Sequence, residues 1–292
     1  MRRLLVSVAV SSLVAVAATV SAPLAPSFAS SPVRYRDNVF TAVDKKADIT
    51  YGTAIDELDQ SVVTLKLDLY TPKGDTVRRR PAIVWVHGGA FCCGDKSSPE
   101  LVDEATQFSL KGYVNVSIDY RLAHPGCVAG GGGTCLVGIR EAMEDAQTAV
   151  RFLRSRAQKY GIDPRRIAIG GSSAGAITAL HVGYNAANPG PGDHQRFSSA
   201  VQAVQSLSGC AITETPGPGG APALLFHGTA DPLVPYSCAV ATVARARAAG
   251  DKAILRTWEG EGHVPYVQNR TQIIDETRNF FYRQLDLADA PA

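Results

Sequence analysis

The sequence has few of the patterns that bind metals, phosphates or nucleic acids. Its 292 residues include only six His and six Cys. No C-x-x-C motif or His/Cys cluster has the spacing of a metal site, so we expect no metal and no other cofactor. The Gly run 130–133 lacks the Lys and the following helix of a phosphate-binding loop, and is typical of a flexible turn. The formal net charge is only +2, which argues against nucleic acid as a partner.

Apart from its N-terminus, the sequence also lacks any apolar run long enough to cross a bilayer. Arg2 and Arg3 precede the apolar run 4–20, and Ser27-Phe28-Ala29 fits the small-x-small pattern of signal-peptide cleavage. This pattern predicts a secretory signal peptide over 1–29, an extracellular location and no membrane anchor after cleavage. A transmembrane anchor is the alternative. Because exported chains are oxidised, the six Cys predict up to three disulfides.

The order of strand and helix patterns indicates an α/β fold. Segments 47–51 and 62–70 alternate and predict an antiparallel pair of strands. From residue 80 onward, apolar strand-like runs alternate with helical patterns, including 141–160 and 271–285. This order predicts a mostly parallel central sheet with helices on both faces. We expect a single α/β domain over 30–292, without an insertion large enough for a separate cap.

The segment Gly171-Ser172-Ser173-Ala174-Gly175 carries the strongest catalytic signal. It is a G-x-S-x-G motif centred on Ser173, between the apolar run 166–169 and a run of good helix formers. A strand that turns directly into a helix holds the central Ser exposed in a strained backbone conformation. Gly at both flanking positions avoids a collision there. Ser173 is therefore the predicted nucleophile, although a plain Gly/Ser turn would explain the motif alone.

A nucleophilic serine needs a base and an acid, and after a G-x-S-x-G elbow these follow in the order acid, then His. His263 lies in a loop after the strand-like run 253–258, and elimination among the six His makes it the predicted base. Asp231 follows the strand-like run 223–226 and is the predicted acid. Its alternative explanation is an ordinary Asp-Pro turn. Glu214, which follows the preceding strand-like run, is the alternative acid.

A Gly-containing loop follows the buried-type strand run 82–86 and has the sequence His87-Gly88-Gly89-Ala90-Phe91. Because Gly lets the backbone approach a ligand closely, the amides of Gly88 and Gly89 are predicted to bind a developing oxyanion. The amide of Ala174, just after the nucleophile, is their predicted partner. His87 itself is expected to brace the loop.

The basin above the nucleophile is expected to be open. Residues 184–199 form only a short Pro/Gly-rich loop, so no lid helix is predicted there. Aromatic residues on the surrounding loops are candidate substrate-binding residues, and ordinary packing is the alternative for each of them. These aromatics are Phe91, Tyr120, Tyr236 and Tyr266.

The Cys residues lie on loops that follow predicted strands. Cys210 follows one strand end and Cys238 begins the helix after the next strand, so we predict a Cys210–Cys238 disulfide. The other four Cys lie on two further loops at the same edge of the sheet, and we expect two more bonds among them. Two bridges between these loops are preferred over a vicinal Cys92–Cys93 bond combined with a Cys127–Cys135 bond.

These motifs resemble the α/β-hydrolase superfamily, in particular bacterial carboxylesterases related to hormone-sensitive lipase and the smaller feruloyl and acetylxylan esterase-like enzymes. The H-G-G-x-F loop and segments 117–122 and 160–167 carry the resemblance, which extends from about residue 60 to about residue 285. Two features depart from the family pattern. Ala90 replaces the third Gly of H-G-G-G, and Cys92-Cys93 has no counterpart.

The motifs and the resemblance together imply a secreted serine esterase that forms an acyl-enzyme. Its expected substrates are carboxylic esters with short-chain or polymer-linked acyl groups, such as acetyl or feruloyl groups on polysaccharide. An exported serine peptidase of the same fold is one alternative, although such peptidases typically carry a substrate-gating domain. A catalytically silent protein of this fold, used for binding, is the other alternative. The presence of all three catalytic residue types argues against it.

Overall fold

The computed structural model describes residues 31–128 and 132–290, so the predicted signal peptide over 1–29 lies outside the described residues. From Pro32 onward the described residues belong to one unit. The strands in these ranges form a single eight-stranded sheet. They are β1 (Val43–Ile55), β2 (Val62–Pro72), β3 (Arg80–Val86), β4 (Val114–Ile118), β5 (Ile162–Ser172), β6 (Ala203–Leu207), β7 (Ala223–Gly228) and β8 (Ala253–Trp258).

Helices follow β3, β4, β5, β7 and β8, whereas β6 is joined to β7 by residues 208–222 without a helix. They are α1 (Pro99–Ser109), α2 (Gly133–Ser155), α3 (Ala157–Tyr160), α4 (Ala174–Tyr184), α5 (Tyr236–Ala248) and α6 (Tyr266–Gln284), followed by a 3₁₀ turn over Leu287–Asp289. No helix of the described residues is both long and apolar enough to cross a membrane.

The sheet has the strand order β1-β2-β4-β3-β5-β6-β7-β8. β1 pairs with β2 and β2 pairs with β4 in antiparallel fashion, whereas all pairs from β4 to β8 are parallel. The predicted antiparallel N-terminal pair and mostly parallel sheet are thus confirmed. The carboxyl ends of β3, β5, β7 and β8 meet at one edge, where the loops after them carry the candidate catalytic residues.

Both faces of the sheet are covered, so its central strands are largely buried. Every residue of β3 is buried. Val84 faces the core cluster formed with α2, α4 and α5, while Ile83 and Trp85 face the cluster formed with α1 and α6. Alternation along one strand thereby supplies both cores. The indole N–H of Trp85 donates a hydrogen bond to Oδ1 of Asn115 at 3.0 Å, so this buried polar group is satisfied.

Two helices begin earlier than the sequence pattern indicates. Helix α2 begins at Gly133 rather than at residue 141, so a helix does follow the Gly run. Helix α6 begins at Tyr266 rather than at residue 271. The first turn of α2 contains no buried residue, and in α6 the buried Tyr266 is followed by the exposed Val267. Apolar periodicity therefore underestimates the length of both helices.

The segment 185–202, between α4 and β6, has no helix or strand in the structure. It is held against α2 by Arg151, whose guanidinium donates hydrogen bonds to the carbonyl oxygens of Pro189, Pro191 and Asp193. His194 contacts the carbonyl oxygen of Tyr51 in β1 at 3.1 Å. These contacts hold the segment on the α2 and β1 side of the molecule.

Candidate active site

Ser173 occupies the turn between β5 and α4 in a strained backbone conformation, with φ 53° and ψ −119°. Its amide donates a hydrogen bond to the carbonyl oxygen of Leu207 in β6 at 2.8 Å. The flanking glycines are sterically required, because a Cβ atom on Gly175 would lie 1.9 Å from the carbonyl oxygen of Val86. A Cβ atom on Gly171 would lie 2.5 Å from that same oxygen. The packing of β3 against the turn therefore selects Gly at both positions.

His263 lies in the loop between β8 and α6, with its ring close to the serine. Its Nε2 atom is 2.7 Å from Oγ of Ser173, and its Nδ1 atom is 2.8 Å from Oδ2 of Asp231. The next residue, Val264, has φ 49°, and its amide donates a hydrogen bond to Oγ of Ser208 at 3.0 Å. That bond anchors the His263 loop to the end of β6.

Asp231 is positioned by the loop after β7, which packs against the loop after β8. A Cβ atom on Gly228 would lie 2.2 Å from the carbonyl oxygen of Glu261, so Gly is required for this close approach. The Asp231 side chain is fully buried. Its Oδ1 atom accepts hydrogen bonds from the amides of Leu233 and Val234 at 2.9 and 3.0 Å. The carboxylate is therefore held in one orientation, with Oδ2 toward His263.

The alternative acid, Glu214, lies elsewhere. It lines a separate cavity together with Leu136, Arg140 and Met143 of α2. The cavity beside Ser173 and His263 has a different lining. Of the two carboxylates considered from the sequence, only Asp231 contacts His263 in the structure.

His227, at the end of β7, is a second ring on the Asp231 carboxylate. Its Nε2 atom lies 2.8 Å from the carbonyl oxygen of Val234 and 3.2 Å from Oδ2 of Asp231. Burial lowers the pKa of His227, so at neutral pH the ring is uncharged and Nε2–H is a donor to both oxygens. In the sequence, His227 directly follows the strand-like run 223–226. Its spacing of four residues before Asp231 was the available signal.

The loop after β3 places its glycines beside the nucleophile. A Cβ atom on Gly88 would lie 3.2 Å from the Cβ of Ser173. Gly89 has φ 122°, and Ala90, at the position of the family's third Gly, still adopts a left-handed φ of 52°. The Ala side chain thus does not prevent the left-handed turn, at a strain of roughly 1 kcal/mol. The oxyanion role of Gly88, Gly89 and Ala174 stays a prediction.

His87 is packed as a structural residue. Its ring stacks on Tyr120 with centroids 4.2 Å apart, and the Tyr120 hydroxyl donates a hydrogen bond to the His87 carbonyl oxygen at 3.1 Å. Burial lowers the pKa of His87, which favours the neutral ring. This packing fixes the start of the Gly loop.

A cavity of about 550 Å³ lies above Ser173 and His263. Its polar wall includes Ser172 and Glu100, whose Oε1 atom accepts a hydrogen bond from the Ser172 hydroxyl at 2.8 Å. Its apolar wall includes Val128 and Leu233, which are 69% and 71% exposed. No sequence pattern marks these positions, because isolated residues in loops belong to no periodic pattern. Within the described residues, no group of three or more His, Cys, Asp or Glu side chains could hold a metal ion.

The four aromatics predicted to bind substrate lie outside this cavity, and that expectation is corrected. Phe91 is 1% exposed because its left-handed backbone, φ 64°, directs it into the core against Gly138 of α2. Tyr120 packs on His87 as described. Tyr266 is buried and donates a hydrogen bond to Asp103 at 2.7 Å. Tyr236 shares a hydrogen bond with the hydroxyl of Thr257 at 2.7 Å.

The Cys residues form two bonds in the structure. Cys210 is joined to Cys238 and Cys127 is joined to Cys135. The preferred pairing, two bridges between the loops, is therefore wrong. Cys127 and Cys135, the latter in the first turn of α2, have Cα atoms only 4.5 Å apart. Cys92 and Cys93 remain free thiols.

The sheet order, the strained serine turn and the loops at one sheet edge define an α/β-hydrolase of the esterase type. A model of the BD-FAE family matches residues 67–213, about half of the chain. The chain therefore belongs to the BD-FAE family. A model of the prolyl oligopeptidase family also matches residues 191–288.

Curated relatives share parts of the chain. Human arylacetamide deacetylase-like 2 is 34% identical over 128 residues, which is 42% of this chain and 29% of that protein. A probable isoprenylcysteine alpha-carbonyl methylesterase of Arabidopsis thaliana is 27% identical over 243 residues, 68% of this chain and 48% of that protein. The chain thus spans about half or less of the length of these relatives.

Solved structures share the fold. Esterase 2 of Thermogutta terrifontis, phosphoramylated by tabun, superposes with a TM-score of 0.69 at 22% identity, covering 82% of this chain and 94% of that one. A truncated carbohydrate esterase from gut microbiota has a TM-score of 0.63 at 21% identity, covering 87% of this chain and 99% of that one. At this level of identity the likeness concerns the fold alone.

Proposed function

We propose that the chain is a serine hydrolase of carboxylic esters, with Ser173, His263 and Asp231 as its catalytic triad. The observation that supports this most is the continuous hydrogen-bond chain from Ser173 Oγ to His263 Nε2, 2.7 Å, and from His263 Nδ1 to Asp231 Oδ2, 2.8 Å. The names of the curated relatives, a methylesterase and a deacetylase-like protein, also support ester hydrolysis.

In the proposed mechanism, Nε2 of His263 takes the Ser173 proton as Oγ attacks the ester carbonyl. The Asp231 carboxylate stabilises the resulting imidazolium without itself being protonated. Backbone amides of Gly88, Gly89 and Ala174 stabilise the oxyanion of the tetrahedral intermediate. His263 then protonates the leaving alcohol, and a water molecule repeats the sequence to release the acid and free the serine.

Labelling with a fluorophosphonate probe tests the nucleophile, since such probes bond covalently to an activated serine. We expect one label per chain, located on Ser173. Ser173→Ala should abolish labelling and lower kcat by roughly 10³-fold or more, and adding His263→Ala should lower it little further, because the triad acts as a unit. Ser172→Ala, one residue away, is the matched control and should still be labelled. An unlabelled parent chain would instead favour the silent binding protein.

For the substrate, we propose esters with short acyl groups, including acyl groups linked to polymers. The cavity is open at its exposed apolar rim, formed by Val128 and Leu233. The segment 185–202 is bound to α2 and supplies no lid over Ser173. An open site buries little of a long acyl tail and therefore gains little transition-state binding from it.

Nitrophenyl acetate, butyrate and palmitate test this preference, with methyl ferulate and acetylated xylan as polymer-related substrates. We expect kcat/KM to be highest for the short esters. With tributyrin, the rate should rise smoothly through the solubility limit. A sharp increase at that limit together with a preference for palmitate would contradict the open-site proposal.

We also propose that the protein is secreted as a single domain, residues 30–292, after removal of its leader. The disulfides Cys210–Cys238 and Cys127–Cys135 support this, because such bonds persist in oxidising compartments. Expression of the full chain in a bacterial host tests it. A processed chain in the medium, beginning at Ser30, is the expected result, and an unprocessed cytoplasmic chain would contradict it.

A serine peptidase is a second candidate, because residues 191–288 match the prolyl oligopeptidase model and contain Asp231 and His263. Both activities would use the same triad, so activity on amides distinguishes them. We expect nitrophenyl butyrate to be hydrolysed and peptidyl-proline nitroanilides to remain intact. The opposite result would favour the peptidase.

A further inference from the structure

Two adjacent free thiols line the candidate catalytic cavity. Cys92 is buried and Cys93 is exposed, and their Sγ atoms are 2.8 Å apart. A covalent disulfide measures about 2.05 Å, so these are two thiols in direct contact. All four other Cys of the chain are already paired. The Cys92-Cys93 pair is also the feature of the Gly loop that the family pattern did not explain.

The pair is coupled to the predicted oxyanion loop through the backbone. The amides of Cys92 and Cys93 both donate hydrogen bonds to the carbonyl oxygen of Gly89 at 3.0 Å. Gly89 is packed so closely that a Cβ atom on it would lie 1.9 Å from the Cys93 carbonyl oxygen. A change in the conformation of the Cys92–Cys93 peptide must therefore displace Gly89.

The two thiols differ in reactivity. Cys93 is exposed and can meet a dissolved oxidant, whereas burial raises the pKa of Cys92 and keeps its thiol protonated. The thiolate is the attacking species in thiol–disulfide exchange. Cys93 is therefore the first thiol to react, and Cys92 is in position to resolve the product.

We propose that Cys92 and Cys93 form a modification site for low-molecular-weight disulfides, which convert the pair reversibly to a vicinal disulfide and lower the activity of the neighbouring site. The Cys93 thiolate attacks the soluble disulfide, forming a mixed disulfide and releasing one thiolate. Cys92 then gives up its proton and attacks the Cys93 sulfur as the thiolate, forming the Cys92–Cys93 bond and releasing the second thiolate. The two cysteine protons end on the two released thiols, so the protein pair is oxidised and the soluble disulfide is reduced.

The geometry of adjacent residues explains both parts of the proposal. Consecutive Cα atoms are about 3.8 Å apart across a trans peptide, below the usual range of about 4.4–6.8 Å for disulfide-linked Cys. Ring closure must therefore distort the Cys92–Cys93 peptide, and with it the hydrogen bond that its N–H, on Cys93, donates to Gly89. A strained disulfide is also easily reduced, as a reversible modification requires.

Oxidised glutathione is the probe for this reaction, applied to the full-length protein. Free thiols are then blocked with N-ethylmaleimide, and the peptide that contains Cys92 and Cys93 is analysed by mass spectrometry. We expect that peptide to lose two hydrogens and to carry no blocking group. Blocked thiols, or a stable glutathione adduct on Cys93, would overturn the proposal.

The activity part rests on the proposed esterase function, and it is measured separately on nitrophenyl butyrate. We expect kcat to fall at least about tenfold on oxidation, the effect of losing one oxyanion donor being on the order of 10²–10³. Activity should return with mild thiol treatment. The double variant Cys92→Ala/Cys93→Ala keeps both other disulfides and should not respond to the oxidant.

The two proposals fail in different ways. If the chain hydrolyses no ester, the mass measurement still tests the thiol pair. If the esterase is active but oxidation forms no vicinal bond, only the modification proposal is overturned. A vicinal bond with unchanged kcat would also overturn it, because the proposed coupling through Gly89 would then be absent.

Discussion

Replacing Asp231 with Asn changes only which atoms of the side chain donate and accept, and it therefore tests the hydrogen-bond chain directly. Oδ1 of Asp231 accepts from the amides of Leu233 and Val234 at 2.9 and 3.0 Å. Oδ2 faces Nδ1 of His263 at 2.8 Å. An Asn side chain that keeps both backbone hydrogen bonds must place its NH2 group against His263.

The amide then donates to Nδ1 and shifts the ring proton to Nε2, the nitrogen 2.7 Å from Ser173 Oγ. A protonated Nε2 cannot accept the serine proton. In the serine-protease triad this substitution lowers kcat by about 10⁴-fold, which corresponds to about 5 kcal/mol of transition-state stabilisation. Flipping the amide would leave the two backbone donors unsatisfied at about 1–3 kcal/mol each, so we expect the inactive orientation to dominate.

His227 adds an effect on stability. Its Nε2–H lies 3.2 Å from Oδ2 of Asp231 and also donates to Val234 at 2.8 Å. In Asp231→Asn, one N–H of the new NH2 group would face this donor and find no acceptor. We therefore expect the free energy of unfolding to fall by about 1–3 kcal/mol, the cost of one buried unsatisfied amide N–H.

The assay is kcat and kcat/KM on nitrophenyl butyrate at neutral pH, combined with urea unfolding. Glu214→Gln is the matched control, because it makes the same chemical change at a carboxylate in a different cavity. It should keep the activity of the parent. Asp231→Asn within about tenfold of the parent, or a large loss in Glu214→Gln, would refute the tautomer argument.

Three further predictions concern charge, pH and crosslinks. Glu100 lines the cavity beside Ser173, and its carboxylate accepts a hydrogen bond from the Ser172 hydroxyl. Glu100→Gln should raise kcat/KM for a hemisuccinate ester, relative to a butyrate ester, by roughly fivefold, as expected for about 1 kcal/mol of charge repulsion. An unchanged ratio would contradict this. Burial lowers the pKa of His181 to about 4. As the pH falls from about 6.5 toward 4, His181 therefore binds a proton in the unfolded chain but not in the folded one. The folded state is thus stabilised above this pH window and loses that free energy of unfolding within it. His181→Gln should lose about 2 kcal/mol less than the parent between pH 7 and pH 5 in urea unfolding, and an identical pH dependence would disprove this contribution. Cys210 and Cys238 are 28 residues apart, whereas Cys127 and Cys135 are 8 residues apart. Removing the Cys210–Cys238 disulfide should therefore lower the free energy of unfolding by about 3–4 kcal/mol, and removing the Cys127–Cys135 disulfide by about 2–3 kcal/mol. The reverse order in thermal unfolding would contradict the loop-entropy argument.

Much of the candidate site could be predicted from local sequence. The strand, the G-x-S-x-G motif and the following helix formers are contiguous, so short-range sterics alone indicate the serine turn. The carboxyl ends of parallel strands meet at one edge of a sheet. A Gly-loop, an Asp and a His that each follow a strand are therefore expected near one another, although they are far apart in the chain.

Other features depend on contacts between residues with no local pattern. Phe91 and Tyr120 looked like loop aromatics, but a left-handed backbone and a stack on His87 bury them. Glu100 reaches Ser172 only because α1 packs beside the serine turn. Each of these outcomes was decided by packing between distant segments, which short-range preferences do not encode.

The sequence by itself thus determined the alternation of strands and helices, the strained serine and the order of the catalytic candidates, because these follow from local periodicity and backbone sterics. Only the tertiary structure decided the pairing of the Cys residues, the second ring on Asp231 and the lining of the cavity. Those features require side chains from separate loops to approach within a few ångströms. Such approaches are set by how the strands and helices pack together. The periodicity of the sequence around these residues does not indicate that packing.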